Sequence, residues 1–224
     1  QCIQLDSINF ERELLASSQI IKDPNVFIMN PFDFLLSTNS SVQKKFEFNT
    51  VAQKSDFIKA LRSFLDKTPH CKTIYDEALV VADELFTNAI FNAPAHEGQD
   101  RVDALQRIST LAYPPGLRAV FRMAHDGTNL ILCCEDPCGS LKPDKVLNRI
   151  QKCFQQGVSE SINMGFGGAG IGTYMVYNLG VSLYVNVKKN KMTQVCCIFP
   201  LKKSSKNKSL MSKNLHVHLF EGDK

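Results

Sequence analysis

The stretch Tyr75-Asp76-Glu77-Ala78-Leu79-Val80-Val81-Ala82-Asp83-Glu84-Leu85-Phe86-Thr87-Asn88-Ala89-Ile90-Phe91-Asn92-Ala93 holds the clearest periodicity in the chain. Tyr75, Ala78, Leu79, Ala82, Phe86, Ala89, Ile90 and Ala93 recur at helical spacing, so the segment reads as an amphipathic helix with one face in a core, ended by Pro94. Glu84 and Asn88 lie one turn apart on the same side of it, nearly opposite the stripe through Ala82 and Ala89. Such a pair can act together on one ligand or can face water, and the spacing alone leaves both open.

Upstream, the pattern divides near residue 41. Residues 1 to 41 form an N-terminal extension: an amphipathic stretch from Phe10 to Ile21, a break at Asp23-Pro24-Asn25, then Asn30-Pro31 and a polar link through Ser41. From Val42 the order becomes regular. Phe46 and Phe48 alternate in a short strand, and Val51, Phe57, Ile58, Leu61, Phe64 and Leu65 mark a helix that stops near Pro69. Downstream of the long helix, Leu117 to Met123 and Asn129 to Glu135 read as a hairpin around Asp126-Gly127. A helix from Asp144 to Gln156, a glycine loop, a short helix from Thr173 to Leu179, and strands Ser182 to Lys188 and Thr193 to Phe199 complete residues 42 to 200. This order predicts an α+β fold, a two-layer α/β sandwich with a mixed, mostly antiparallel sheet and helices on one face. Residues 201 to 224 form a basic tail with a short terminal strand, in which Leu215, Val217 and Leu219 face inward and His216 and His218 outward.

Composition excludes several classes. Of 224 residues, 44% are hydrophobic and 21% charged, the balance of a globular protein. The longest apolar runs, Ile131 to Cys134 and Val195 to Phe199, are strand-sized and far short of the ~20 residues that span a bilayer. The net charge of +4 traces to Lys202, Lys203, Lys206, Lys208 and Lys213, which argues against a nucleic-acid groove in the main domain. The eight cysteines contain no Cys-x-x-Cys pair, and Cys133, Cys134, Cys196 and Cys197 sit in apolar runs. Buried reduced thiols are the expectation, and with them a cytoplasmic location.

Five of the twelve glycines fall within Gly165-Phe166-Gly167-Gly168-Ala169-Gly170-Ile171-Gly172, directly before a helix. Each glycine costs roughly 1 kcal/mol of chain entropy, which is tolerated where the backbone bends sharply or approaches a ligand. The amides and dipole at the following helix N-terminus favour an anion such as a phosphate. Gly165, Gly167 and Gly170 spell a dinucleotide fingerprint, but no acidic residue stands about 20 positions on, where Asn190 lies instead. A P-loop fails as well, because Ile171 follows Gly170 where Lys is needed. Asp136-Pro137-Cys138-Gly139 places a carboxylate where a strand meets a turn, as a site residue or as a turn former.

In order, the Asp83 to Ala89 helix, the Asp136 to Gly139 turn and the Gly168 to Gly172 loop resemble the three ATP-site boxes of the GHKL (histidine kinase-like, Bergerat-type) ATPase superfamily. The resemblance covers roughly residues 42 to 200 and is nearest to the bacterial anti-sigma-factor serine/threonine kinases. It implies ATP and Mg2+ as cofactors. Asn88 would coordinate the metal, Glu84 would be the general base, and Asp136 would accept a hydrogen bond from the adenine amino group. Gly139 would let the backbone pass the base, and Thr193 would support the Asp136 end. Gly165, Gly167, Gly168, Gly170, Ile171 and Gly172 would line the phosphates, with a mobile lid from Gly157 to Phe166. The implied partner is a regulatory protein, a sigma factor or its antagonist, and a homodimer is compatible with the resemblance. The middle box departs from the family, with Leu141 where a second glycine is usual. Two other readings follow: a nucleotide-dependent interaction module without phosphotransfer, and the catalytic domain of a histidine kinase, for which His70 is a poor phosphoacceptor.

Overall fold

The computed structural model describes residues 10–37, 41–93, 112–160, 172–202 and 213–220. Six strands form one sheet in the order β1-β2-β3-β5-β4-β6, with β1 Val42–Phe48, β2 Ala119–His125, β3 Asn129–Asp136, β4 Ser182–Lys188, β5 Met192–Pro200 and β6 Asn214–Phe220. All neighbours are antiparallel except β4 and β6, so the sheet is mixed and mostly antiparallel. The expected α+β sandwich is the observed architecture.

Local chemistry sets the element ends. The Asp126 side chain accepts from the amides of Thr128 and Asn129, closing the β2–β3 hairpin over Gly127, whose φ is +76°. Asn190 takes a φ of +58° in the turn between β4 and β5. Thr50 and Gln53 form a reciprocal capping box just before α4, Lys54–Leu65. α5, Tyr75–Thr87, then runs across the sheet and ends in a π-turn, Asn88–Asn92.

One sheet face carries Phe48, Phe121, Met123, Leu132, Leu183 and Phe199 against α4, α5, α6 (Pro143–Glu160) and α7 (Gly172–Leu179). Phe86 of α5 stacks on Phe48 with ring centroids 4.2 Å apart and on Phe57 at 5.0 Å, which fixes α5 over the sheet.

The expectation put helices on one face, and α4 to α7 do lie there. Three N-terminal helices, α1 Phe10–Lys22, α2 Pro24–Met29 and α3 Pro31–Leu35, add a layer on the other. Ala16, Ile20, Phe27, Phe32 and Leu35 pack there against Ile131, Cys133, Tyr184, Cys196 and Ile198. This explains the uninterrupted apolar runs in β3 and β5, since strands covered on both faces do not alternate.

The outward placement of His216 and His218 is corrected by the same layer. Leu215 and Val217 do turn to the first core, but His216 is fully buried under α1, its Nε2 2.7 Å from Glu13 Oε2. His218 is half-buried and meets Asn186 Oδ1 at 2.9 Å, and burial drives its pKa down to about 4. Leu219, expected inside, is instead 55% exposed. The seven described cysteines are free thiols, six of them buried. Among the described residues no helix is long and apolar enough to cross a membrane.

Candidate functional site

The end of α5 is where the sequence and the geometry first converge. In the π-turn the Ala93 amide reaches back five residues to the Asn88 carbonyl at 3.1 Å, which widens the helix by one residue per turn. The loosened end is held from outside. Tyr113 donates its hydroxyl to the Ala89 carbonyl at 2.6 Å, and Ser140 donates to the Ala93 carbonyl at 2.7 Å. π-turns are frequent where side chains must be aimed at a site.

Glu84 and Asn88 are half-buried rather than turned to water, because α7 packs over this side of α5. Asn88 Nδ2 donates to Glu84 Oε1 at 2.9 Å. Burial raises the Glu84 carboxyl above its ordinary range, and the Asn88 amide and the positive charges of Arg149 and Lys54 only partly offset this. Gly172, the first residue of α7, sits against this carboxylate so closely that an added Cβ would lie 1.8 Å from Glu84 Oε1. The predicted acid, the amide and the last glycine of the loop are thus brought together. Gly165, Gly167, Gly168, Gly170 and Ile171 lie outside the described residues, as does the expected lid beyond Glu160; its first part, Gly157 to Glu160, continues α6.

Asp136 ends β3 and is buried, 8% exposed. Its Oδ1 accepts from the Cys138 amide at 2.9 Å in a tight Asx-type turn. Burial pushes its carboxyl up to about 6, against the lowering pull of the Cys138 and Gly139 amides and the Thr193 hydroxyl. Thr193 faces it across the β3–β5 ladder. Its hydroxyl is near enough to act on that carboxylate, yet this buried oxygen has no well-aligned hydrogen-bond partner. Gly139 has a close neighbour of a different kind from the one expected. With φ at +61°, its missing Cβ would lie 2.1 Å from the Lys188 carbonyl, so it presses on the β4–β5 turn. The Asn190 amide donates to its carbonyl at 3.2 Å.

Between α5, α6, α7 and the sheet lies a cavity of about 260 Å³ lined by Asn88, Asp136 and Thr193, with Glu84, bonded to Asn88, just behind its wall rather than in it. Leu85, Ala89, Val176, Leu183, Val185 and Val195 form its apolar walls, with Asp136 and Thr193 at one end. Asn88 and Thr173 reach it from α5 and α7. Lys145 and Arg149 line it from the exposed side of α6 and Lys142 from just before that helix, and Leu141 takes part of the wall. Sequence reasoning missed Tyr113, Ser140 and the three cations, whereas it placed an anion near Gly170 to Thr173. A signal for Lys145 and Arg149 was present: they are four residues apart and each immediately adjoins a core position, Val146 and Ile150.

The arrangement presents a buried acceptor at one end, an apolar slot in the middle and positive charge at the mouth. Among the described residues no cluster of three or more His, Cys, Asp or Glu side chains could hold a metal ion. Of the residues lining the cavity, Asn88 offers an amide oxygen, a donor type suited to a hard divalent cation.

No family model matches the sequence, and no curated protein matches it. Among solved structures, the chain is similar to one in the crystal structure of the SiaB-SiaC complex from Pseudomonas aeruginosa, with a TM-score of 0.46 and 13% identity over 80% of this chain and 99% of that one.

Proposed function

We propose that the chain binds ATP with magnesium in this cavity and transfers the γ-phosphoryl group to a serine or threonine of a regulatory protein partner in the cytoplasm. The observation that carries the reading is Asp136. A carboxylate that burial pushes toward its neutral form despite the Cys138 and Gly139 amides, beside a Thr193 hydroxyl without a well-aligned partner, fits a ligand head that brings its own N–H groups, as adenine does. The order of the three sequence boxes supports the same ligand.

In this reading Asp136, ionised above about pH 6, accepts from the adenine amino group, and the apolar walls sandwich the ring. Magnesium, when held by Asn88, would neutralise charge on the phosphates. Glu84 takes the proton of the attacking hydroxyl as the oxygen accepts the phosphoryl group and ADP leaves. Its raised carboxyl suits a base, since affinity for a proton grows as the pKa nears neutrality. Asn88 holds the Glu84 carboxylate through its amide N–H, and Gly172 leaves room for it.

Titration calorimetry with ATP and magnesium tests the site. Wild type is expected to bind, Asp136→Ala to lose binding, and Asn88→Ala to become insensitive to magnesium. A folded wild type that binds no ATP removes the reading. Transfer rates unchanged in Glu84→Gln at saturating ATP would show that Glu84 is not the base.

One feature favours a second reading, a nucleotide-dependent interaction module without transfer. Leu141 lines the cavity where the resemblance expects a second glycine, which narrows the room for a nucleotide to settle in a reactive pose. Partner binding that differs between ATP and ADP, with no phosphorylated product by mass spectrometry, would select it.

A further inference from the structure

The cavity is electrically lopsided. Among the described residues its one lining carboxylate, Asp136, sits deep, while Lys142, just before α6, and Lys145 and Arg149 on its exposed side carry positive charge. Among the described residues these three side chains form no salt bridge, although Arg149 is near enough to Glu84 to lower its pKa. Uncompensated positive charge at the mouth of a pocket attracts an anion, and a guanidinium binds phosphate oxygens through paired N–H groups.

We infer that Lys145 and Arg149 form the wall that recognises the phosphate tail, so that α6 sets the preference for a triphosphate over the bare nucleoside. The inference rests on the nucleotide reading above and deepens it: the glycine loop is not the sole phosphate contact. The spacing supports it. Lys145 and Arg149 are one turn apart, so they present their charges along one line of α6, while Val146, Ile150 and Cys153 anchor the helix in the core. Helix anchoring fixes where the charges stand, which long side chains on a loop would not achieve. Arg149 is close enough to Glu84 for its charge to lower that carboxyl's pKa.

The test is calorimetry of wild type, the double variant Lys145→Gln/Arg149→Gln, and a distant control, Lys22→Gln on α1, each with ATP and with adenosine at two salt concentrations. Both mutated side chains are exposed, so the double variant is expected to fold, and an unchanged melting temperature checks this. Wild type is expected to prefer ATP over adenosine. The double variant should lose ATP affinity by about tenfold or more, with adenosine unchanged and a flatter salt dependence, while the control behaves as wild type. Arg149→Lys should recover part of the loss. An unchanged ratio of ATP to adenosine affinity in the double variant overturns the inference while leaving the nucleotide reading intact. A folded wild type that binds neither ligand overturns both.

Discussion

Replacing Asp136 with Asn should make the empty protein more stable and the liganded one weaker. The carboxyl is 8% exposed, and its rise from an ordinary value of 3.8 to about 6 means that the ionised form is disfavoured by ~3 kcal/mol at neutral pH, at ~1.36 kcal/mol per pH unit. Asn carries no charge to desolvate. It keeps one acceptor oxygen for the Cys138 amide but weakens the acceptance from Gly139, a loss of ~1 kcal/mol. The net gain is therefore ~2 kcal/mol, or roughly 4–8 °C in melting temperature for a chain of this size. The sign follows from linkage. A carboxyl whose folded pKa is raised contributes stability that is fully present below 3.8 and is lost as pH rises through about 6. Wild type should thus lose stability relative to the variant between about pH 4 and 6, and below that window the order should reverse, with wild type more stable by ~1 kcal/mol. Urea unfolding at several pH values measures it. ATP affinity should move the other way, falling ~10–100-fold in the variant, and in wild type weakening as pH drops below about 6. An Asp136→Asn variant less stable than wild type at pH 7 would refute the claim that burial disfavours the ionised Asp136.

Gly139→Ala places a Cβ 2.1 Å from the Lys188 carbonyl at a φ of +61°, so it should destabilise the chain by at least ~2 kcal/mol in urea, and wild-type stability would deny the close contact with the β4–β5 turn. Gly172→Ala meets the movable end of Glu84 rather than backbone, so the melting temperature should stay within a few degrees while phosphoryl transfer falls about tenfold or more; unaltered transfer would separate Glu84 from the chemistry. Glu13→Gln breaks a buried charged cluster in which Ser182, Tyr184 and His216 all meet the carboxylate, and should destabilise the fold by ~3 kcal/mol at pH 7. Burial raises the Glu13 pKa, but those bonds outweigh it and leave the group below 4.5. Its contribution is therefore present above 4.5 and lost as pH falls through the lowered folded value, so the difference between variant and wild type should shrink in acid; a constant difference would rule that out.

Much of the fold was legible because its signals are local. The apolar stripe of α5, the Asp126-Gly127 turn and the proline and glycine punctuation each report on neighbours within a few residues. The second helical layer was not read, although its signal was present. The run Ile131-Leu132-Cys133-Cys134 does not alternate, and a strand of that kind needs cover on both sides. His216 went astray for the same reason: with a solvent-facing back the histidines belong outside, but a carboxylate from α1, far away in sequence, draws one of them in. The candidate site was half legible. Spacing paired Glu84 with Asn88, whereas the cations of α6 became part of the cavity only through the docking of α6 on the core.

Glu13 and Asp136, the two acids among the described residues that are buried as whole residues, contrast in how the fold treats them. Glu13 and Asp136 are both removed from water, and desolvation pushes both toward the neutral form. Around Glu13 the protein supplies enough partners to reverse that push, which is how a structural acid is accommodated. Around Asp136 the Cys138 and Gly139 amides do not outweigh burial, and the Thr193 hydroxyl opposite has no well-aligned partner. The deficit lies beside an apolar slot with positive charge at its mouth, next to a π-turn that Tyr113 and Ser140 hold open, and against a glycine that admits no side chain. Local costs gathered at one place, in a fold that satisfies Glu13 fully, are common at binding sites and rare in structural cores. The deficit would be met by a ligand that donates hydrogen bonds at its buried end and carries negative charge at the other.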